Sequence, residues 1–274
     1  MMVKVGSREL ELNGPHLTEL RSSNDILDDV QALRERMEED GYLLIRGFHD
    51  REQVLTARRA ILEKMNKMGK LERDTLLEEG VIADGSKSIF MGGTNEDLPE
   101  LLNVLNGDHV MRFFDELLGE QSLTYHYKWL RAVGKGDYTG AHYDIVYMGR
   151  GTHNVYTVWS PIGDISYEMG GLAMCLGSHR FDSLKNSYGT KDSDRDGIGH
   201  YTDDPLVITE KFGGQWATTT YEAGDVLIFG MFLMHCSLEN TTNQYRISVD
   251  ARYQSATELV DERWSGKKPR GHHK

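Results

Sequence analysis

The sequence has only two cysteines, Cys175 and Cys236, in 274 residues. Two cysteines are too few for the disulfide framework of a small secreted protein, so we expect a reducing compartment, with the cytoplasm as the default. No apolar run approaches the roughly 20 residues that span a bilayer, and the N-terminal segment has no signal-peptide-like apolar stretch. These absences favour a globular protein without a membrane partner.

Positive charge is scarce relative to negative charge. The chain has 31 Lys and Arg against 43 Asp and Glu, a formal net charge of −12. Phosphate backbones would repel such a chain, and no local basic patch offsets the charge, so we expect no nucleic-acid partner. The length is sufficient to bury a sizeable core.

The first 120 residues have the apolar spacing of helices. Asn24 or Asp25 is predicted to cap a helix that ends at Gly41, and a strand follows it. A second helix is predicted to start at Asp50, and two shorter ones follow. The strand and the shorter helices are expected at residues 42–47, 98–105 and 110–118.

The second part of the chain changes to short runs rich in β-branched and aromatic residues, separated by glycines. No helix-length segments separate most of them, which favours a sandwich or barrel over alternating β and α units. The expected strands are residues 124–133, 155–159, 172–176, 216–221, 225–232 and 245–253. We therefore expect one domain over 1–274, with a mostly helical flank (1–120), a β core (121–256) and a loose tail (257–274).

The β part contains a His-x-Asp motif, His142-Tyr143-Asp144. On a strand, alternate residues point to the same face, so the imidazole and the carboxylate can share one ligand site. Completed by a distant histidine, they form the two-histidine, one-carboxylate triad of non-haem iron enzymes, which leaves coordination positions open. The motif alone is weak evidence for a metal site, but glycines on both sides of it are typical of a strand that ends at a pocket.

His235 is the candidate third ligand, because it follows a long apolar run that starts after the Gly224-Asp225 turn. The alternative is a histidine that merely packs in the core. Arg246 opens the next strand, where its guanidinium could pair with a carboxylate of a dicarboxylic cosubstrate. Ser237, two residues after His235, could add a hydroxyl to the same carboxylate.

Together these residues resemble the phytanoyl-CoA dioxygenase family of Fe(II)/2-oxoglutarate-dependent dioxygenases. Four further stretches are similar to segments of that family and occur in the family's order. They are residues 40–48 (DGYLLIRGF), 158–162 (VWSPI), 169–179 (MGGLAMCLGSH) and 223–229 (AGDVLIF).

The resemblance implies a mainly β fold with flanking α-helices, whose core is a double-stranded β-helix of the jelly-roll, cupin-like type. It assigns Fe(II) to His142, Asp144 and His235. It assigns binding of the distal 2-oxoglutarate carboxylate to Arg246, helped by Ser237. Trp159 and Lys128 are further candidates for the 2-oxoglutarate pocket.

The implied reaction couples O₂ and oxidative decarboxylation of 2-oxoglutarate to hydroxylation of a substrate C–H bond, with succinate and CO₂ as co-products. The presence of Asp144 disfavours halogenation, whereas desaturation or ring chemistry stays open. The acidic charge favours a small metabolite over a coenzyme A thioester as substrate. Four residues near the motif are candidate substrate contacts: Tyr138, Tyr147, Arg150 and His153.

Two alternatives stay open. The first is a non-catalytic, cupin-like protein that binds a small molecule or a metal, although such a protein has no reason to keep all four of the iron and cosubstrate residues. The second concerns Asp192, Asp194 and Asp196, which imitate the start of a calcium loop. A solvated acidic loop is the preferred interpretation of that segment. The sequence does not indicate an oligomeric state.

Overall fold

The computed structural model describes residues 1–272. The strands are β1 (Met2–Val5), β2 (Arg8–Glu11), β3 (Leu17–Glu19), β4 (Tyr42–Ile45), β5 (Ile89–Phe90), β6 (Ser122–Thr124), β7 (Trp129–Val133), β8 (Tyr156–Pro161), β9 (Leu172–Cys175), β10 (Trp216–Thr218), β11 (Val226–Gly230), β12 (His235–Ser237) and β13 (Arg246–Ser255). The helices are α1 (Val30–Asp40), α2 (Arg51–Lys67), α3 (Pro99–Leu105), α4 (Asp108–Leu118), α5 (Ile145–Met148), α6 (Asp182–Lys185), α7 (Ser193–Asp196) and α8 (Pro205–Phe212).

The strands form two main sheets and a small hairpin. The major sheet has seven strands: six in the order β4-β11-β8-β13-β7-β5, with β6 pairing with β13. The minor sheet has the order β12-β9-β10-β3, and β1 pairs with β2 in the hairpin. Apart from the parallel pair β3–β10, the pairings are antiparallel. This gives the mainly antiparallel, two-sheet core that was expected.

Two apolar layers fix the position of the major sheet. Its outer face carries Ile247, Val249 and Ala251 of β13, which pack with the apolar faces of α1 to α4. Its inner face packs on the minor sheet through residues such as Trp159, Phe229 and Met174. Burial of both faces explains why β13 has no exposed residue over its whole length.

The helices of the first part begin and end where local chemistry dictates. The side chain of Asp29 accepts a hydrogen bond from the Ala32 amide at the start of α1, and Asp50 accepts one from Gln53 at the start of α2. Gly41 ends α1 in the left-handed region, with φ of 79°. None of the helices in residues 1–272 combines the length and the hydrophobicity that crossing a bilayer would require.

The predicted boundaries need three corrections. The flank of residues 1–120, predicted to be mostly helical, starts with strands, because β1, β2 and β3 precede α1 and β3 joins the minor sheet. Helix α1 starts after Asp29, since Asn24 to Ile26 form only a 3-10 turn. The run predicted over 124–133 is two strands, β6 and β7, because the chain leaves the extended conformation between them.

The C-terminal segment is not loose over its described length. Trp264 is fully buried and its ring lies against those of Tyr127 and Trp129, at 5.1 and 4.9 Å between centroids. Arg263 forms ion pairs with Asp261 and Asp194. The polar composition of the segment concealed one aromatic anchor and a set of ion pairs.

Trp264→Ala tests this packing. Removing a fully buried indole should lower the free energy of unfolding by roughly 3 kcal/mol, as large-to-small core substitutions do. Leu259→Ala in the same segment is the matched control, because Leu259 is 70% exposed and should change the stability by less than about 0.5 kcal/mol. Denaturant unfolding of the three proteins measures both effects. Equal stability of the Trp264 variant and the wild type would contradict the packed segment, and a single transition would support the predicted one-domain organisation.

Candidate active site

The site starts from a direct backbone pairing between two histidines, His142 and His235. The His142 amide donates to the His235 carbonyl at 3.0 Å, and the His235 amide donates to the His142 carbonyl at 3.1 Å. This isolated antiparallel bridge brings the two imidazole centroids to 4.2 Å. Two residues that are far apart in the chain are therefore fixed as neighbours by the backbone.

The local structure at both histidines differs from the prediction. The His-x-Asp motif is not on a continuous strand, because Asp144 has helical backbone angles and precedes α5. His235 does not end the apolar strand either, since β11 stops at Gly230 and His235 opens β12 in the minor sheet. The predicted side chains still converge, because the bridge aligns the two segments.

Three ligand atoms converge on one point. Oδ1 of Asp144 lies 3.6 Å from Nε2 of His142 and 3.7 Å from Nε2 of His235, and the three residues could hold a metal ion. Each histidine donates its Nδ1 proton to a backbone carbonyl, of Gly140 at 2.8 Å and of Leu233 at 2.9 Å. Both Nε2 lone pairs are thereby left for a metal, as in metal-binding histidines generally.

Asp144 is held through its second oxygen. Oδ2 accepts hydrogen bonds from the Thr157 hydroxyl and from Nη2 of Arg252, the latter at 3.1 Å. Burial opposes ionisation of Asp144, but the Arg252 guanidinium and the two imidazoles outweigh it and hold the pKa well below its usual range. Burial and the His142 ring lower the pKa of His235 to about 3. At neutral pH the site therefore offers a carboxylate and a neutral imidazole, the forms that bind metal.

Arg246 is a buried cation beside the triad. It is 1% exposed, and its Nε has no hydrogen-bond partner within residues 1–272. Its Nη1 donates to Ser248, whose hydroxyl carries no charge. Burial and the nearby Arg131 lower the pKa of Arg246 to about 10. Because an unpaired buried guanidinium is costly, this site fits an anionic ligand.

The other predicted cosubstrate residues have different outcomes. Trp159 lies with Arg246 and the triad in what we call the inner chamber, a narrow cavity. Ser237 is buried nearby, but its Oγ accepts a hydrogen bond from the Thr139 amide at 2.8 Å. Lys128 does not line the chamber, since its Nζ donates to the Thr124 hydroxyl and the Tyr125 carbonyl at 2.7 Å each. Besides Arg246, two further cations line the inner chamber, Arg131 and Arg252.

Lys128→Met tests the exclusion of this residue from the chamber. The 2-oxoglutarate concentration that half-saturates the variant should equal that of the wild type within about twofold. Burial lowers the pKa of Lys128 to about 7, below its unfolded value, so the unfolded chain binds more protons between pH 7 and 10.5. Wild-type stability should then rise with pH by up to about 1.4 kcal/mol per unit relative to the variant. Denaturant unfolding at several pH values measures this difference. If the stability of the wild type and of the variant changed in parallel with pH, the prediction would be contradicted.

A second cavity, the outer chamber, adjoins the inner one and has a volume of about 240 Å³. His142, Asp144, Arg131 and Arg252 line both chambers, and Thr139 does so as well. The other residues around the outer chamber are mainly aromatic: Phe90, Tyr127, Trp129, Tyr147, Met148, His200 and His272.

Of the four predicted substrate contacts, the structure places only Tyr147 in the outer chamber, where its ring is 5.4 Å from that of His142. Tyr138 does not line it. Arg150 forms ion pairs with Asp192 and Asp194. His153 lines a separate cavity of about 310 Å³. Arg150 and His153 are close to the motif in sequence but do not line the outer chamber, because they follow α5.

The acidic loop is ion-paired rather than solvated. Asp192 receives two hydrogen bonds from Arg150, at 2.7 and 2.9 Å, and Asp194 pairs with Arg263 at 2.6 Å. Their carboxylates are thus already neutralised by arginines, which also argues against a calcium site. The expectation of a solvated loop is wrong for these two residues.

Arg131, Thr157, Asp250 and Arg252 were missed by the sequence reasoning. The sequence pattern could have indicated Asp250 and Arg252. From 246 to 254, β13 alternates between polar residues (246, 248, 250, 252, 254) and mainly apolar ones (247, 249, 251, 253). Alternate residues share a face, so the polar set must face the same interior as Arg246. Arg131 could not be found in this way, because its position depends on the pairing of β7 with β13.

Cavity size alone would not have located the site. Cavities of about 310 and 650 Å³ lie elsewhere, yet in residues 1–272 the group formed by His142, Asp144 and His235 is the one that could hold a metal ion. The donors fit a non-haem iron, with two imidazoles and one carboxylate. The unpaired Arg246 fits the carboxylate of a cosubstrate.

Comparisons with known proteins agree with this chemistry. The family model of phytanoyl-CoA dioxygenase (PhyH) matches residues 37–248. A 1-deoxypentalenic acid 11-beta-hydroxylase of Streptomyces exfoliatus is 29% identical over 244 residues, which cover 85% of this chain and 83% of that protein.

Solved structures show the same fold. The non-heme alpha ketoglutarate dependent carbocyclase SnoK from nogalamycin biosynthesis has a TM-score of 0.61 and 18% identity, covering 85% of this chain and 87% of that one. EctD from S. alaskensis, solved with 2-oxoglutarate and 5-hydroxyectoine, has a TM-score of 0.59 and 17% identity, covering 91% and 84%. Both likenesses support the double-stranded β-helix with flanking helices. The chain belongs to the phytanoyl-CoA dioxygenase family and is an Fe(II)- and 2-oxoglutarate-dependent dioxygenase.

Proposed function

We propose that His142 and His235, through Nε2, and Asp144, through Oδ1, bind Fe(II), and that Arg246 binds the distal carboxylate of 2-oxoglutarate. The product is a hydroxylated small metabolite, formed at an unactivated C–H bond, with succinate and CO₂ as co-products. The observation that carries the proposal is the convergence of the three ligand atoms beside a buried, unpaired arginine. The hydroxylase activity of the Streptomyces relative supports hydroxylation as the outcome.

When bound, iron and 2-oxoglutarate supply the oxidising chemistry, and the protein supplies position and environment. The Gly140 and Leu233 carbonyls fix the ring orientation of the two histidines. Thr157 and Arg252 occupy Oδ2 of Asp144, which leaves Oδ1 for the metal. Trp159, 2% exposed, forms an apolar wall of the inner chamber.

An anaerobic spectroscopic titration tests the proposal. Fe(II) and 2-oxoglutarate together should produce a weak visible charge-transfer band, because the keto acid chelates the iron. Succinate, which lacks the keto group, should not produce it. Under air, succinate release from 2-oxoglutarate should then require Fe(II). A protein that binds Fe(II) but shows neither the band nor succinate release would instead be the non-catalytic, cupin-like binder.

We also infer that the protein works in a reducing compartment, with the cytoplasm as the simplest choice. Both cysteines are free and buried, and a ferrous site needs reducing surroundings. Fractionation of the native cells with an antibody to the protein tests this localisation, and recovery in an oxidising extracellular fraction would contradict it.

A further inference from the structure

We propose that Arg131 binds a carboxylate of the substrate, so that the substrate is a compact apolar monocarboxylate. This inference rests on the proposed function, because it assumes that the outer chamber holds the substrate next to the metal. It concerns a residue that is not a predicted iron ligand and that lines both the inner and the outer chamber.

The first argument is the position of Arg131. It lies on β7, pairs with Ser248 of β13 on one side and with Phe90 of β5 on the other, and lines both chambers. Its side chain is 36% exposed, whereas Arg246 and Arg252 are almost completely buried. Arg131 is thus the arginine at the open side of the site.

The second argument is the bonding of Arg131. Its Nε contacts Asp250 at a long 3.5 Å, and its guanidinium lies 5.1 Å from the Phe90 ring centroid. Within residues 1–272 its two terminal nitrogens have no hydrogen-bond partner. A planar guanidinium with free terminal N–H groups matches the two oxygens of a carboxylate.

The third argument is the charge of the two chambers. Arg131, Arg246 and Arg252 line them together with Asp144 and Asp250, which leaves one positive charge in excess. Fe(II) and the 2-oxoglutarate dianion cancel each other, so the excess persists in the loaded enzyme. The two histidines at the rim are paired, His200 with Asp203 at 3.2 Å and His272 with Asp194 at 2.7 Å. One further anion therefore balances the site.

The fourth argument is the remaining lining. Phe90, Tyr127, Trp129 and Met148 give the outer chamber an apolar wall, and its volume of about 240 Å³ lies just below the roughly 300–1,000 Å³ of pockets for drug-sized ligands. An apolar body with one acidic group fits this combination. A coenzyme A thioester, with its several phosphates, does not.

The test measures binding rather than turnover. Compact acids (cyclohexanecarboxylate, decalin-2-carboxylate and adamantane-1-carboxylate), each with its neutral primary amide, are titrated calorimetrically into the anaerobic Fe(II)–2-oxoglutarate enzyme. At least one acid should bind the wild type about 10- to 100-fold more tightly than its amide, the range for hydrogen bonds to charged groups. Arg131→Met should remove this preference and leave the amide affinity within about twofold. Arg131→Lys should restore part of it.

The matched control is Arg59→Met, which removes the same charge from the exposed surface of α2 and should keep the preference for acids. Equal binding of acids and amides by the wild type, or no binding of either, would overturn the proposal. So would an Arg131→Met variant that weakens 2-oxoglutarate binding instead, since Arg131 would then belong to the cosubstrate site. Failure of the proposed function shows separately, as absence of the charge-transfer band before any acid is added.

Discussion

His235→Ala is expected to abolish the charge-transfer band and succinate release. Substitutions of residues that merely orient metal ligands cost 10- to 100-fold in metal affinity, so removal of a ligand should weaken Fe(II) binding by more than about 100-fold. The variant should stay folded, because the backbone bridge to His142 does not involve the side chain. Anaerobic Fe(II) titration followed by absorbance measures the loss.

His179→Ala is the matched control for that experiment. His179 is the last residue of the 169–179 stretch, and its Nε2 donates to the Glu38 carbonyl at 3.0 Å, away from both chambers. The control should bind Fe(II) and form the band as the wild type does. If the His235 variant kept the band, or if the His179 variant lost it while folded, the assignment of the ligands would be wrong.

Arg246→Met should raise the 2-oxoglutarate concentration needed for half-maximal band formation by at least about 30-fold. Truncating one partner of a buried charge pair costs 2–5 kcal/mol, and each 1.4 kcal/mol corresponds to a factor of ten. Methionine fills much of the space of the aliphatic stem, so the loss is that of the guanidinium rather than of packing. Fe(II) affinity without the cosubstrate should change little, because Arg246 contacts none of the three ligand atoms.

Arg246→Lys separates charge from geometry. Lysine keeps the positive charge but cannot offer two parallel N–H donors, so its effect should lie between those of the wild type and the methionine variant. Arg59→Met again serves as the surface control. An Arg246→Met enzyme that forms the band at wild-type cosubstrate concentrations would show that another cation, such as Arg131, holds 2-oxoglutarate.

The sequence was most informative where chemistry is local. His142 and Asp144 are two residues apart, and the apolar run before His235 marks a buried strand, so these side chains could be proposed without knowledge of the fold. The helical faces of α1 and α2 were predictable for the same reason, since their apolar spacing is a property of each segment alone.

Other features depended on long-range pairing. Arg131 enters the site because β7 pairs with β13, and β3 joins the minor sheet because it pairs with β10, 199 residues further along the chain. Trp264 is buried through contacts with Tyr127 and Trp129. No window of sequence contains both partners of such contacts, which explains why the tail and the first strands were misjudged. Lys128 was misjudged because the direction of its side chain depends on the break between β6 and β7.

The backbone bridge between His142 and His235 has a consequence for the thermodynamics of metal binding. Closing a loop of on the order of 100 residues costs about 4 kcal/mol of chain entropy. In this protein the two amide–carbonyl bonds and the sheets around them already hold the loop closed. The entropy cost of closing the loop is therefore not subtracted from the metal affinity. Conversely, the metal adds little to the stability of the fold beyond its own binding free energy. Iron could then exchange in and out of a folded protein, so that the enzyme can lose its metal without unfolding and regain activity when iron returns.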